Sequence, residues 1–551
     1  MGLIINNNKA SVFEKSAVTD WKNKSILIVD DFRDFRFIIR NMLQSFGAVN
    51  IDQAANGESA LAKIAEKKYD IILCDYNLGD GKDGQQVLEE GKFRGFINLT
   101  SIFIMITAEN TTSMVLGAVE YLPDDYLVKP LTHDIVRTRI DKVLQKKLKF
   151  AAVLNALDRK AYQEAMDLCE QGIMANPTNP YDFMKIQAET LVAMGRYDEA
   201  RALYEDVLKQ RTLAWALMGM GKIHFFTEEY AKAKDVFQSV IEKNKMLMEA
   251  YDWLAKAFVK LNMTQDAQQT LLAATKLSPK VVVRQRALGE VAYKNSDFDV
   301  ATRSFKSAIT VGKNSCFKSP SEYVGLAKVL VDTKSSDEAL KIVGDAKKEF
   351  KDNPDALAQS SAVESSAYLA LGDKEKASRA AEEGSRYCTD AAGGVSLQTA
   401  MDLAKAHFSL GSVDAGTKLM QDIIRNNHED EQLMQDVGKI FKDANLQDAG
   451  TKLISATSRE MVLLNNKGVE LVNDGKFEDA IAYFEKAAVS LSSNKTINSN
   501  TAHAIILYMQ KNGKTDDLVK KAQFYLDRVR SIDPHYKRYL AFLHLLEQLQ
   551  N

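Results

Sequence analysis

The chain has 551 residues, and its 72 Lys and Arg nearly balance its 74 Asp and Glu, which gives a formal net charge of −2. This length predicts several domains, and the near-neutral charge excludes the basic footprint of a nucleic-acid-binding protein. Its four Cys residues are widely spaced and form neither a metal motif nor a disulfide framework, so they favour a reducing cytoplasm. No apolar run reaches the roughly 18–20 residues of a membrane span, so we expect no membrane insertion.

Residues 1–22 lack the layout of a signal peptide and are predicted to be a flexible leader. Short apolar runs then alternate with amphipathic segments across a first domain at 23–147. The runs are β-rich and do not alternate with polar residues, which indicates strands buried on both faces. This pattern predicts an α/β doubly wound parallel sheet. The expected elements are strand 25–29, helix 33–45, strand 49–53, a helix opened by Asn56, strand 70–75, helix 84–94, strand 101–107, helix 111–121 and strand 125–128.

Polar side chains stand where four of these strands end. Asp30 and Asp31 follow the first strand, Asp75 ends the third, Thr107 ends the fourth, and Lys129 follows the last. Ligands of such sheets bind outside the carboxyl ends of the strands, so we expect these residues at one rim. Carboxylates brought together call for a cation, and Mg²⁺ prefers oxygen ligands. The rim therefore predicts a phosphoryl-transfer site with a carboxylate nucleophile and a lysine point charge.

Four motifs at this rim resemble the CheY-like receiver domain of two-component response regulators: Val-Asp-Asp, Cys-Asp-Tyr-Asn-Leu, Ile-Thr-Ala and Tyr-Leu-Val-Lys-Pro. The resemblance covers about residues 24–147. It implies that Asp75 takes a phosphoryl group from a histidine kinase. The implied Mg²⁺ ligands are Asp31, Asp75 and the carbonyl of Asn77, with Asp30 helping through water. The implied phosphoryl-contact and switch residues are Thr107, Tyr126 and Lys129, and Lys129 is expected to precede a cis bond to Pro130.

One loop departs from the family pattern. Receivers often have Met-Pro after the phosphoacceptor stretch and Asp-Gly a few residues later. Here Leu78-Gly79 stands at the first position, and Asp83-Gly84 comes one residue late. The loop 79–84 is therefore rich in glycine and slightly long, and its conformation does not follow from the resemblance.

The last receiver helix is predicted to continue into the next domain. Thr132 or His133 can cap a helix that begins near Asp134, and its apolar pattern contains no Gly or Pro until past Asp158. We therefore expect one continuous connecting helix over 132–158, a rod of roughly 35–40 Å. A stiff joint of this kind would let a change at one end reorient the other.

From residue 150 the composition becomes helical, and a unit repeats. A position with Ala recurs every 31–38 residues, often three residues after an aromatic side chain. The pattern resembles the tetratricopeptide repeat (TPR) family, most closely at 195–200 and 475–480. It predicts an all-α TPR solenoid over 150–551 with about ten to eleven helix pairs, irregular at 320–455. The recurring residues are Ala165, Ala200, Ala233, Ala267, Ala301, Ala339, Ala377, Ala415, Ala449 and Ala480.

The concave face of a solenoid is its usual binding surface. Candidate lining residues on the first helices of pairs are Lys185, Lys222, Asp252 and Lys256. These features favour a cytoplasmic, phosphorylation-controlled adaptor that is not an enzyme, in which the receiver modulates protein binding by the TPR domain. Two alternatives remain: an inhibitor or phosphatase-like modulator of a histidine kinase or phosphorelay, and a peptide-ligand sensor. The exposed helix–strand face of the receiver is also a candidate surface for a homodimer.

Overall fold

A computed structural model describes residues 19–108, 123–390 and 394–550. The predicted helix at 111–121 and residues 1–18 of the predicted leader lie outside the described residues. The chain divides into two compact units, Met1–Lys318 and Ser319–Asn551. Within the described ranges, no helix combines the length and the apolar character that crossing a bilayer requires.

The first unit begins with a sheet of five parallel strands in the order β2-β1-β3-β4-β5. Its three central strands are buried almost throughout because helices cover both faces. The predicted α/β doubly wound fold is thereby confirmed. The strands are β1 Ser25–Val29, β2 Asn50–Ala54, β3 Ile71–Asp75, β4 Ile102–Thr107 and β5 Asp125–Val128, and the helices between them are α1 Arg33–Ser45, α2 Gly57–Glu66 and α3 Gly84–Phe93.

Successive strand residues feed two cores on opposite sides of the sheet. Ile26 and Ile28 pack with α1 in one core, whereas Leu27 and Val29 pack with α2 and α3 in the other. Trp21 also packs into the first core and is only 4% exposed. The predicted flexible leader over 1–22 therefore needs correction at residues 19–22, because burial of this indole holds the segment against the receiver.

One uninterrupted helix, α4 (His133–Asp158), leads from the receiver into the solenoid. Its N-cap is Thr132, whose hydroxyl accepts a hydrogen bond from the N–H of Ile135. The first half of α4 packs on the sheet through Val136 and Ile140, and the second half joins the first repeat through Val153. The same helix is thus the last element of the receiver and the first helix of the solenoid.

The remaining helices follow one another in chain order. In the first unit they are α5 Tyr162–Ala175, α6 Tyr181–Ala193, α7 Tyr197–Gln210, α8 Ala214–Phe226, α9 Tyr230–Lys243, α10 Met248–Lys260, α11 Thr264–Leu277, α12 Val282–Lys294 and α13 Phe298–Gly312. In the second unit they are α14 Pro320–Asp332, α15 Ser336–Glu349, α16 Pro354–Ala370, α17 Lys374–Asp390, α18 Leu397–Ser409, α19 Val413–Asn427, α20 Glu431–Asp443, α21 Gln447–Asn473, α22 Phe477–Ser490, α23 Lys495–Asn512, α24 Asp516–Ile532 and α25 Lys537–Gln550.

Small residues let the helices of a pair approach closely. Most of the recurring alanines are fully buried, including Ala200, Ala233 and Ala301. At Ala415 and Ala449 the prediction was wrong by one residue, because the buried small positions there are Gly416 and Gly450. Each of these glycines lies against a phenylalanine ring in the space that a Cβ would occupy.

The turn inside most helix pairs of the described solenoid has the same backbone shape. One residue in the turn has a φ of about +60 to +80°, where the chain reverses after the first helix. Glycine fills this position only in some repeats, so the turn shape is more regular than its sequence. The residues are Lys160, Gly195, Glu228, Asn262, Ser296, Lys334, Gly372, Gly411, Asn445 and Gly475.

Candidate functional site

The ends of β1 and β3, which are neighbours in the sheet, bring three carboxyl groups together. One oxygen from each of Asp30, Asp31 and Asp75 can be chosen so that all lie within 4.8 Å of one another. Asp30 and Asp75 are only 1% and 6% exposed, whereas Asp31 faces solvent. The rim therefore holds two buried acids behind one accessible acid.

Lys129 supplies a positive charge among these carboxylates. Its Nζ lies 3.0 Å from Oδ2 of Asp30 and 3.3 Å from Oδ2 of Asp75. The amine also lies 4.0 Å from the ring centroid of Phe35, a cation–π arrangement. The peptide bond between Lys129 and Pro130 is cis, as the resemblance implied. A single lysine thus bridges the two buried acids.

The pKa of Asp75 is raised from its ordinary value to about 6. Burial is the largest cause and repulsion from Asp30 adds to it, while the positive charge of Lys129 opposes both. Asp75 is therefore mostly ionised at neutral pH, but its ionised form is less favourable there than in water. A carboxylate in this condition gains from any further cation placed beside it.

Two residues at the start of α1 support the rim and were not identified from the sequence. Arg36 donates from its Nη1 to the backbone oxygens of Asp30 at 2.6 Å and Asp31 at 3.1 Å. Phe35 lies beside the lysine amine, as described above. Both residues come about one helical turn after the Asp pair in the sequence. This spacing is the sequence signal that could have identified them. The carboxylate of Asp30 is itself fixed by the N–H of Phe32 at 2.8 Å.

The donor set fits a magnesium ion. Three carboxylates face one lysine, so negative charge is in excess, and every donor is oxygen. Asp30, Asp31 and Asp75 would hold the ion, which would neutralise charge where a phosphoryl group arrives. Asn77, the fourth predicted ligand, uses its side-chain oxygen to accept a hydrogen bond from the N–H of Gly79 at 3.3 Å.

The two predicted switch residues lie on adjacent strands, Thr107 at the end of β4 and Tyr126 near the start of β5, beside Met105. Asp75 pairs with Ile106 in the β3–β4 register, so Thr107 is one residue beyond it at the same edge. The ring of Tyr126 packs with the core on the α2–α3 side of the sheet. Its hydroxyl is buried and has no hydrogen-bond partner among the described residues, and burial raises its pKa. The roles of both residues stay predictions.

On the solenoid, two of the predicted lysines meet at an indole. The Nζ of Lys256 lies 4.3 Å and that of Lys222 5.6 Å from the ring centroid of Trp253. Lys222 also pairs with Glu249 at 2.5 Å. The sequence analysis did not single out Trp253, although tryptophan is among the residues most enriched at binding hot spots.

The other two predicted residues are engaged within the solenoid. Asp252 holds the guanidinium of Arg284 through both carboxylate oxygens, at 2.8 and 2.7 Å, and Arg284 is only 3% exposed. This pair stabilises the packing of α10 on α12. Lys185 lies 3.8 Å from Glu189 one turn along its own helix. Asp252 is therefore a structural residue, and the strip formed by Lys222, Trp253 and Lys256 is the better candidate surface.

The parallel sheet, the acidic rim and the lysine at the strand ends define a receiver domain. A model of the response regulator receiver domain matches residues 26–141, and tetratricopeptide repeat models match residues 156–221 and 463–488. The chemotaxis protein CheY-3 of Vibrio cholerae is 30% identical over 125 residues, which cover 23% of this chain and 95% of CheY-3. CheY of Pseudomonas aeruginosa is 30% identical over 121 residues, which cover 22% and 96%.

Solved structures give similar partial matches. A two-component response regulator from Clostridium difficile is 32% identical, with a TM-score of 0.21, and the match covers 22% of this chain and 98% of that one. A tetratricopeptide repeat protein from Parabacteroides merdae is 16% identical, with a TM-score of 0.32, and the match covers 43% and 91%. The chain belongs to the response regulator receiver family. It is a signalling protein of response-regulator type whose receiver is followed by TPR protein-interaction repeats.

Proposed function

We propose that the protein is a phosphorylation-controlled adaptor of a two-component system. Asp75 accepts a phosphoryl group from a histidine kinase, and the state of the receiver modulates binding of a protein partner on the concave face of the TPR solenoid. The observation that carries the proposal is the buried carboxylate of Asp75, held 3.3 Å from the amine of Lys129 beside two further acids.

The proposed chemistry is a transfer between two side chains. A carboxylate oxygen of Asp75 attacks the phosphorus of a phosphohistidine, the P–N bond breaks, and the electron pair returns to the imidazole nitrogen. Lys129 would contact the phosphoryl oxygens, and a Mg²⁺ ion held by the Asp cluster would neutralise part of the incoming charge. Thr107 and Tyr126 would then change position as the switch pair. We propose no catalytic turnover on a separate substrate.

The solenoid supports the partner-binding half of the proposal. At the strip, the half-buried indole of Trp253 lies beside the amines of Lys256 and Lys222, of which Lys222 is paired with Glu249. This combination suits a partner with acidic and apolar groups. We place the protein in the cytoplasm, which agrees with cysteines that are all unpaired in the structure. The homodimer through the receiver stays a prediction, because helix 111–121 lies outside the described residues.

Phosphoryl incorporation into the full-length chain tests the proposal. The protein is incubated with Mg²⁺ and acetyl phosphate, or with a purified phosphorylated histidine kinase, and its intact mass is measured. We expect one phosphoryl group in the wild type and none in Asp75→Asn. Asp80→Asn, which changes an exposed acid in the following loop, is the matched control and should still be modified. Modification of Asp75→Asn at the wild-type level would refute the assignment.

A further inference from the structure

The surface of α3 on the receiver is covered by two loops of its own chain. Asn314, which follows α13, donates from its side-chain amide to the backbone oxygen of Gly81 at 2.6 Å, and its own backbone oxygen accepts from Nζ of Lys82 at 2.5 Å. Ser315 donates to Oε2 of Glu89 at 3.1 Å. These bonds join residues more than 220 positions apart in the sequence.

Aromatic and cationic contacts extend the same surface at both ends. Phe317 packs edge to face on Phe93, with ring centroids 5.2 Å apart. Lys280, in the loop before α12, lies 5.4 Å from the ring centroid of Tyr76 and 3.5 Å from its hydroxyl. We name this surface the docking interface. Its receiver residues are Tyr76, Gly81, Lys82, Glu89 and Phe93, and its solenoid residues are Lys280, Asn314, Ser315 and Phe317.

The polar residues of α3 are buried far more than charged and amide side chains usually are. Gln85, Glu89 and Glu90 are 4–6% exposed. Such residues are rarely covered unless they have partners. Glu90 has two within the receiver, Lys82 at 2.9 Å and Arg94 at 2.8 Å, and Glu89 has Ser315 of the solenoid at 3.1 Å. The hydrogen bonds that cross the docking interface indicate a specific contact.

The docking interface lies directly beside the phosphoacceptor Asp75. The N–H of Gly84, the first residue of α3, donates to the backbone oxygen of Tyr76 at 2.9 Å. A Cβ at Gly84 would lie only 2.1 Å from the backbone oxygen of Asp75, so α3 begins directly against the residue that carries the chemistry. The loop 79–84, which departs from the family pattern, leads from the strand that ends in Asp75 to α3. Gly81 in this loop has a φ of +100°.

We propose that the docking interface is a phosphorylation-sensitive contact, through which the state of Asp75 reaches the solenoid directly as well as along α4. The inference rests on the proposed function. Docking fixes the loop 79–84 from the solenoid side, while a phosphoryl group on Asp75 changes the charge at the origin of the same loop. Because docking and a phosphoryl group on Asp75 both act on this one short loop, each disfavours the other. Coupling between two sites is reciprocal, so release of the solenoid should favour the modified receiver.

The first experiment asks whether the docking interface forms in the unmodified full-length chain. Deuterium uptake of residues 84–93 is compared in the wild type, in the double variant Lys280→Ala with Asn314→Ala, and in the control Lys313→Ala, whose side chain is exposed. We expect uptake at least about tenfold faster in the double variant and unchanged in the control. Wild-type uptake in the double variant would overturn the interface. A Lys280→Arg variant, which keeps the charge, should retain protection and exclude a folding defect.

The second experiment tests the coupling with beryllofluoride and Mg²⁺, a probe that mimics a phosphoryl group on aspartate. Binding is followed by ¹⁹F NMR in the wild type and the double variant. We expect the double variant to bind at least about fivefold more tightly. Equal or weaker binding would overturn the coupling. If neither protein bound the probe, the proposed function and the coupling would both fail, while the result on the interface from the first experiment would stand.

Discussion

The receiver rim and the helix pairs of the solenoid differ in how they place charged side chains. At the rim, Asp30 and Asp75 are almost wholly buried, and one lysine lies within 3.3 Å of both. In the solenoid, ion pairs such as Arg196 with Glu199 are on the surface, although Arg284, paired with Asp252, is buried. Glycines there pack against aromatic rings where paired helices approach closely. The difference teaches that chemistry in this protein depends on a few buried charges, whereas the shape of the solenoid depends on small residues.

The largest expected effect tests the packing side of this contrast. Gly289→Val should lower the free energy of unfolding by about 3 kcal/mol, because a Cβ there would lie 2.7 Å from the ring of Phe305. Gly344→Val is the matched control, since a Cβ at that helical position meets nothing within 4 Å. Urea unfolding measures both. A Gly289→Val protein as stable as the control would show that these close approaches do not matter.

The next effect concerns the buried charges. Lys129→Met should leave Asp30 and Asp75 without their shared cation and lower the stability of the receiver by about 1–3 kcal/mol at pH 7. It should also weaken binding of beryllofluoride, because the phosphoryl contact is lost. Lys146→Met, which changes an exposed lysine of α4, serves as the control. Equal stability of the two variants would mean that the pair of ion contacts contributes nothing.

A smaller effect follows from the titration of Asp75. Its pKa is about 6 in the folded chain, above its unfolded value of 3.8. The protonated carboxyl therefore favours the folded state at low pH, and this contribution is lost as the pH rises through 6. Between pH 4 and 7 the receiver of the wild type should lose about 1–2 kcal/mol that Asp75→Asn does not lose, after allowance for partial exposure. Parallel pH profiles of urea unfolding for the two proteins would contradict this assignment.

The smallest effect belongs to the surface of the solenoid. Arg196 donates to both carboxylate oxygens of Glu199 at 2.6 Å, but Glu199 is more than half exposed. Arg196→Ala should therefore change the stability by at most about 0.5 kcal/mol, and less at high salt. A loss as large as that of Lys129→Met would erase the distinction between the two regions. Thermal unfolding at low and at high ionic strength measures it.

The rim was predictable because the topology of the sheet alone places its residues. Buried strands without alternation specify a parallel sheet, and a parallel sheet brings the ends of β1, β3, β4 and β5 to one edge. Asp30, Asp31, Asp75 and Lys129 were placed together by this argument alone. Arg36 was missed because it acts on backbone oxygens, which carry no residue-specific signal.

The docking interface could not be predicted in the same way. Asn314 and Gly81 are 233 positions apart, and their contact depends on how many helix pairs intervene and how much each one turns. An error of one residue in a repeat between these two positions would not alter the predicted solenoid. It would alter the accumulated curvature, which sets where a distant loop lies.

Helix α4 packs on the sheet at one end and on the first repeat at the other. Because it is one continuous helix, the separation and the relative rotation of the receiver and the first repeat change only in steps of one residue. Inserting one residue after Lys146 would turn the receiver by about 100° and lift it by about 1.5 Å relative to the first repeat. Inserting a full heptad would almost restore the angle but add roughly 10 Å. A foreign receiver grafted onto these repeats would therefore need the same helical phase to meet Asn314 and Lys280.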